Sequence, residues 1–217
     1  MKSKRALISG VTGQDGAYLA KLLLSKGYKV FGTFRRTSTP NFWRLQYADV
    51  YSKINLIPAD LTDMGSLINS IKISDPDEVY NMAAMSFVRT AFEQPVGNSH
   101  STGTAVTRFL ESIKSINPNV KFYQASSSEM FGNSNTQIQN EQTSFSPASP
   151  YAAAKLYAHW ITKIYQEAYD MFAVSGILFN HESPIRGLEF VTRKITNAAA
   201  QIKLGLKKDI SVGNLES

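Results

Sequence analysis

The stretch Lys4-Arg5-Ala6-Leu7-Ile8-Ser9-Gly10-Val11-Thr12-Gly13-Gln14-Asp15-Gly16-Ala17-Tyr18-Leu19-Ala20 decides the fold. It opens with the apolar run Ala6-Leu7-Ile8, passes three glycines, and enters a segment whose apolar residues recur at helical spacing through Leu24. This order predicts a strand, a glycine turn and a helix. Gly27 stops the helix, and Tyr28-Lys29-Val30-Phe31-Gly32-Thr33-Phe34 predicts a second strand.

The alternation continues outward. A strand is expected at Ile54 to Pro58, a helix after Leu61-Thr62-Asp63 with Thr62 or Asp63 as its cap, and a strand at Glu78 to Asn81. A helical pattern covers Thr102 to Ile116, a strand follows at Val120 to Ala125, and a polar loop runs from Gly132 to Pro147. Its Asn/Ser/Gln-rich part, Asn133 to Thr143, is the expected mobile loop. Ser149-Pro150 begins a helix reaching Tyr169, and Phe172 to Phe179 is strand-like. Strands separated by helices imply an α/β fold, a Rossmann-type doubly wound parallel sheet. Such sheets bind ligands outside the carboxyl ends of their strands.

The glycine turn supplies the first candidate site. Gly10, Gly13 and Gly16 allow backbone amides to approach a pyrophosphate, and the helix start beside Thr12, Gln14 and Asp15 favours that anion. Arg35-Arg36 stand at the end of the second strand, where an NAD enzyme carries an acidic residue for the ribose 2′-hydroxyl. A guanidinium pair suits a 2′-phosphate, so NADP is the expected cofactor. By position, Asp60-Leu61 and Met82-Ala83-Ala84-Met85-Ser86 follow the third and fourth strands, where adenine and the ribose-nicotinamide linker would pass.

Tyr151 and Lys155, four apart at a helix start, share one face. A phenol of ordinary pKa about 10 acts as a base near neutral pH only at a cost of about 4 kcal/mol, which a nearby cation such as Lys155 offsets. The segment Ser126-Ser127-Ser128-Glu129 reaches the same sheet edge. Ser127 is placed to hydrogen-bond a substrate oxygen, and Glu129 points to a proton transfer beyond the needs of a simple reductase.

Composition excludes several alternatives. Among 217 residues, 43% are hydrophobic, enough for one α/β domain or one domain plus part of another. The surplus of 23 Lys and Arg over 17 Asp and Glu comes without a long basic run, a poor match to nucleic-acid binding. The first apolar stretch ends at Ser9-Gly10, too short for a signal peptide, and no apolar run is long enough for a membrane span. With no cysteine, thiol nucleophiles and zinc-thiolate sites are ruled out, and no metal site is expected.

Three segments resemble the GDP-mannose 4,6-dehydratase family of extended short-chain dehydrogenases. They are residues 10–19, Tyr123-Gln124-Ala125-Ser126-Ser127-Ser128-Glu129-Met130-Phe131-Gly132, and Gly176-Ile177-Leu178-Phe179-Asn180-His181-Glu182-Ser183-Pro184. The similarity continues through Arg186-Gly187 and Phe190-Val191-Thr192-Arg193-Lys194-Ile195. It implies conversion of GDP-mannose to GDP-4-keto-6-deoxymannose and water by internal hydride transfer through NADP.

In that scheme Ser127 supplies the catalytic hydroxyl, Glu129 is the acid/base, and Tyr151 with Lys155 serve the hydride transfer. The resemblance adds His181 and Arg186 to the cofactor site. It sets Asn180, Val191 and Lys194, together with Ser86, Ser127 and Glu129, near the GDP-sugar. It further implies a homodimer or homotetramer in the cytoplasm. Residues 1–180 would form the NADP-binding domain and 181–217 the start of a substrate-binding region.

Ser127 stands where many members have threonine and Met85 where they commonly have glutamine; Gly97 and His100 also depart from the pattern. Members continue past the ending Gly213-Asn214-Leu215-Glu216-Ser217, so an inactive NADP-binding fragment is one alternative. A nucleotide-sugar 4-epimerase and a GDP-mannoheptose dehydratase are the others.

Overall fold

In the computed structural model, which describes residues 3–213 other than Asn135 and Gln137, six strands form one parallel sheet. They are β1 (Arg5–Ser9), β2 (Lys29–Phe34), β3 (Asn55–Pro58), β4 (Glu78–Asn81), β5 (Lys121–Ser127) and β6 (Ala173–Leu178). Their order is β3-β2-β1-β4-β5-β6. The chain therefore winds outward in one direction from β1, then returns and winds the other way from β4. The gap between the carboxyl ends of β1 and β4 is the switch point at which such sheets hold ligands.

Helices α1 (Gln14–Ser25), α3 (Met64–Ser74), α6 (Ala105–Ile116) and α7 (Pro150–Tyr169) are the longer crossovers in the sheet. The strands are apolar because both faces are covered. Leu7, Phe31, Val79 and Phe122 pack with Leu67 and Ile71 of α3 and with Val106, Phe109, Leu110 and Ile113 of α6. Phe109 meets Phe122 edge to face at 5.8 Å. Each such side chain, wholly withdrawn from water, contributes about 1.5 to 3 kcal/mol before chain entropy is counted.

Local chemistry sets the helix ends. Asp63 caps α3, its carboxylate accepting from the Ser66 amide at 2.8 Å. Ser149 does the same for α7 at the Ala152 amide, with Pro150 in the first turn, where its missing amide proton costs nothing.

Several features of the first 180 residues depart from the sequence expectation. β5 runs to Ser127, two residues beyond Ala125, because Ser126 and Ser127 still pair with Ile177 and Leu178 of β6. The helix expected from Thr102 begins as α5 (Pro95–Asn98), passes through a π-helical turn at Ser99–Thr104, and only then becomes α6. Tertiary bonds hold that segment, since the Asn98 amide donates to the Met85 carbonyl and Thr102 Oγ1 accepts from the Met85 amide. The short helices α2 (Trp43–Tyr47) and α4 (Val88–Glu93) were not evident from periodicity. Of the polar stretch 133–143, Asn135 and Gln137 lie outside the described residues, as do residues 214–217.

The chain divides into two compact units between Phe179 and Asn180. Among the described residues the second contains one helix, α8 (Val191–Lys203), which begins after Phe190 without a side-chain cap. Among the described residues no helix is long and apolar enough to cross a membrane.

Candidate active site

The glycine turn is shaped by contacts that leave no room for side chains. Gly10 adopts φ +67°, and a β-carbon there would lie 2.8 Å from the Ala83 Cα. One at Gly16 would lie 2.5 Å from the Gly10 carbonyl oxygen and 2.7 Å from the Val11 Cα. Gly13 donates its amide to the Gly10 carbonyl at 3.0 Å and then caps α1 with no side chain. The first turn of a 12-residue helix thus opens at the switch point with no side-chain cap on its leading amides. That is an arrangement suited to a phosphate group.

Arg35 and Arg36 follow β2, and both are exposed. Asp60 lies within electrostatic reach of Arg35. Its carboxyl is held below the usual range mainly by bonds from the Thr62 amide and hydroxyl, with Arg35 adding to the effect. After β4, Met82, Ala83 and Ala84 are half-buried and Ser86 is exposed. Met85 is strapped to the π-helical segment through its amide and carbonyl.

The end of β5 divides its serines between two directions, as strand geometry requires. Ser126 Oγ is buried 3.1 Å from His159 Nδ1 of α7. Burial, reinforced by Lys163, holds the His159 imidazole below its ordinary pKa. Ser127 Oγ instead accepts the Glu129 amide at 3.2 Å, which fixes the short 3-10 turn Ser128–Met130. Of the three consecutive serines, Ser127 is therefore the one whose hydroxyl is held next to Glu129.

On α7, Tyr151 is 7% exposed and Lys155 3%. The Lys155 ammonium lies 5.8 Å from the centre of the Tyr151 ring and donates to the Ala125 carbonyl at 2.6 Å. Burial lowers its pKa from the ordinary 10.5 to about 8, opposed by the charge of Asp15 at the start of α1. Lys155 of α7 is thus held by β5 through a hydrogen bond and acted on by the charge at the start of α1. A buried cation beside a phenol supplies what a tyrosinate base needs.

The second unit holds the remaining candidates. Asn180, His181, Val191 and Lys194 are exposed. Arg186 lies 3.6 Å from the Glu182 carboxylate, with its guanidinium carbon 3.6 Å from the centre of the Phe190 ring. The Lys194 amide donates to the Phe190 carbonyl in the first turn of α8. No group of three or more possible metal ligands occurs among the described residues.

The sequence motifs do not mark a buried polar row formed by Ser9 and Asn81, at the ends of β1 and β4, and Gln124, in the middle of β5. Its signal in the sequence is a polar residue closing each of two apolar runs and interrupting the third. Only the register shows that the three are neighbours.

The model of the GDP-mannose 4,6 dehydratase family matches residues 7–217. The chain is 49% identical to a GDP-mannose 4,6-dehydratase of Sinorhizobium fredii, over 99% of this chain and 63% of that protein. It is 50% identical to GDP-mannose 4,6 dehydratase 2 of Arabidopsis thaliana, over 99% of this chain and 60% of that one. It therefore spans about three fifths of the length of the curated relatives it matches.

Among solved structures, a UDP-N-acetylglucosamine 4-epimerase from Methanobrevibacter ruminantium in complex with UDP-N-acetylmuramic acid superposes with a TM-score of 0.81 at 25% identity, covering 93% of this chain and 64% of that one. The dTDP-glucose 4,6-dehydratase DesIV of Streptomyces venezuelae, with NAD bound, superposes with a TM-score of 0.78 at 20% identity, covering 90% of this chain and 62% of that one, a likeness of fold. The match over residues 7–217 assigns the chain to the GDP-mannose 4,6 dehydratase family.

Proposed function

We propose that this chain carries the cofactor-binding and catalytic residues of a dehydratase that converts GDP-mannose to GDP-4-keto-6-deoxymannose and water. The observation that carries the reading is the buried Lys155 beside Tyr151, at the sheet edge where β5 presents Ser127 and Glu129.

A nicotinamide dinucleotide fits the residues present. Gly10 and Gly16 let the turn close against the Ala83 and Val11 backbone, and the α1 N-terminus that follows favours a pyrophosphate. NAD bound to the dehydratase DesIV supports this cofactor class. Exposed Arg35 and Arg36 favour the 2′-phosphate of NADP. Thr12, Gln14 and Asp15 of the turn, with Asp60, Leu61, Met82, Ala83, Ala84 and Ser86, would line the rest of the dinucleotide, joined by His181 and Arg186. When bound, the nicotinamide supplies the hydride acceptor for sugar C4 and the hydride donor for C6.

The protein's own groups move the protons. Tyr151 takes the proton of the 4-hydroxyl, while Ser127 hydrogen-bonds the same oxygen. Lys155 favours the tyrosinate through its charge. The 4-ketone so formed acidifies the C5 proton, which Glu129 removes and passes to the hydroxide leaving C6, making the released water. As C6 receives the hydride, C5 takes the proton that Tyr151 had drawn from the 4-hydroxyl, and the tyrosinate is restored. Ser86, Asn180, Val191 and Lys194 are assigned to the GDP-sugar, and the homodimer or homotetramer and the cytoplasmic location belong to the same reading. Glu129 favours dehydration over 4-epimerisation, which removes no proton from C5.

The test is incubation of the purified chain with NADP⁺ and GDP-mannose, with the product weighed by mass spectrometry. Loss of one water, abolished in Glu129→Gln, is expected. An isomer of unchanged mass would overturn the reading in favour of epimerisation.

A further inference from the structure

Five groups form one continuous hydrogen-bonded chain across the sheet beneath the candidate site. The Ala83 amide donates to Ser9 Oγ at 3.3 Å, and Ser9 Oγ donates to Asn81 Oδ1 at 2.5 Å. Asn81 Nδ2 donates to Gln124 Oε1 at 2.7 Å, and Gln124 Nε2 donates to the Ala125 carbonyl at 2.9 Å. The same carbonyl oxygen accepts the Lys155 ammonium at 2.6 Å. Ser9, Asn81 and Gln124 are at most 1% exposed, so water does not compete for these bonds. Strand register makes them neighbours, Ser9 beside Asn81 and Asn81 beside Gln124.

The polarity of this chain is fixed at both ends. A backbone amide can only donate and a backbone carbonyl can only accept. Gln124 must therefore turn its NH₂ toward Ala125 and its oxygen toward Asn81. Asn81 in turn must present its NH₂ to Gln124 and its oxygen to Ser9. Aligned bonds of this kind strengthen one another in a low-dielectric interior. The Gln124 amide arrives as a strengthened donor on an oxygen it shares with a cation. Two donors on one carbonyl compete, and each weakens the other's hold.

We propose that Gln124, oriented through Asn81 by Ser9, is a positioning residue that weakens the grip of the Ala125 carbonyl on Lys155 and so keeps the lysine free to act beside Tyr151. The catalytic part of this statement rests on the dehydratase reading; the coupling between Ser9 and Lys155 does not. Ser9 and Ala83 flank Gly10, whose close approach to Ala83 shapes the glycine turn, so the chain ties that turn to the lysine. The charge of Asp15 also acts on Lys155.

The test is the titration of Lys155 in the ligand-free chain, read by NMR from its ¹³Cε resonance and assigned by its loss in Lys155→Arg. Ser9→Ala removes one hydroxyl far from the lysine, Ser9→Thr keeps the hydroxyl, and Gln124→Met removes the competing donor. Ser9→Ala and Gln124→Met are expected to raise the Lys155 midpoint by roughly half a pH unit, the scale of one altered hydrogen bond, with Ser9→Thr unchanged. Gln124→Met strands the Asn81 amide in the core and can cost the fold, so Ser9→Ala decides. An unmoved midpoint in folded Ser9→Ala overturns the proposal, as does a downward shift. In the dehydratase assay, Ser9→Ala should lower kcat severalfold at constant KM. A chain without dehydratase activity would remove that second readout and leave the titration standing.

Discussion

The Lys155 ammonium nitrogen stands 5.8 Å from the centre of the Tyr151 ring, one helical turn along α7, with both side chains buried. Tyr151→Phe keeps the ring and removes the phenol. Turnover of GDP-mannose should fall by about 10² to 10⁴, the usual worth of a positioned base. NADPH binding, followed by fluorescence, should stay near that of the unaltered chain.

Burying that ammonium has a cost that pH reveals. The folded chain holds Lys155 at about 8 against an ordinary 10.5. Between those values the unfolded chain binds more protons, so stability rises with pH across the window. Below it the penalty is of order 3 kcal/mol. Lys155→Met should therefore be the more stable chain in urea unfolding at pH 7, and its advantage should shrink between pH 8 and 10.5.

Gly10 combines a positive φ with a β-carbon position 2.8 Å from the Ala83 backbone. Gly10→Ala should cost about 1 to 3 kcal/mol of stability, measured by thermal unfolding. It should also weaken NADPH binding about tenfold or more, the factor that corresponds to about 1.4 kcal/mol.

Arg35 is exposed at the end of β2, close enough to Asp60 to act on its carboxyl. Arg35→Ala should lower affinity for NADPH by about ten- to hundredfold, since a hydrogen bond to a charged group contributes about 1.5 to 3 kcal/mol. Affinity for NADH should be nearly unchanged. Equal losses for both cofactors in a fluorescence titration would remove the 2′-phosphate assignment.

The sheet was legible because each strand is a short apolar run closed by turn residues. Glu78 to Asn81 was read with the limits it has in the structure. The π-helical segment was not, because residues 95–104 carry no apolar period. What holds them is the bonding of Asn98 and Thr102 to Met85 and the packing of Gly103 against Ala154. Helix α8 was not read, although Val191, Ile195, Ala198 and Ile202 recur at helical spacing. Within the candidate site, the spacing of Tyr151 and Lys155 predicted a shared helix face, and both side chains lie buried on α7. The opposite directions of Ser126 and Ser127 needed the register of β5 against β6 and the position of His159.

The central claim is internal hydride transfer from C4 to C6 of a GDP-sugar, and isotope tracing tests it most directly. GDP-mannose deuterated at C4 should give a product that has lost one water and carries the deuterium at C6. Deuterium found at C4, or lost to solvent, would contradict the account.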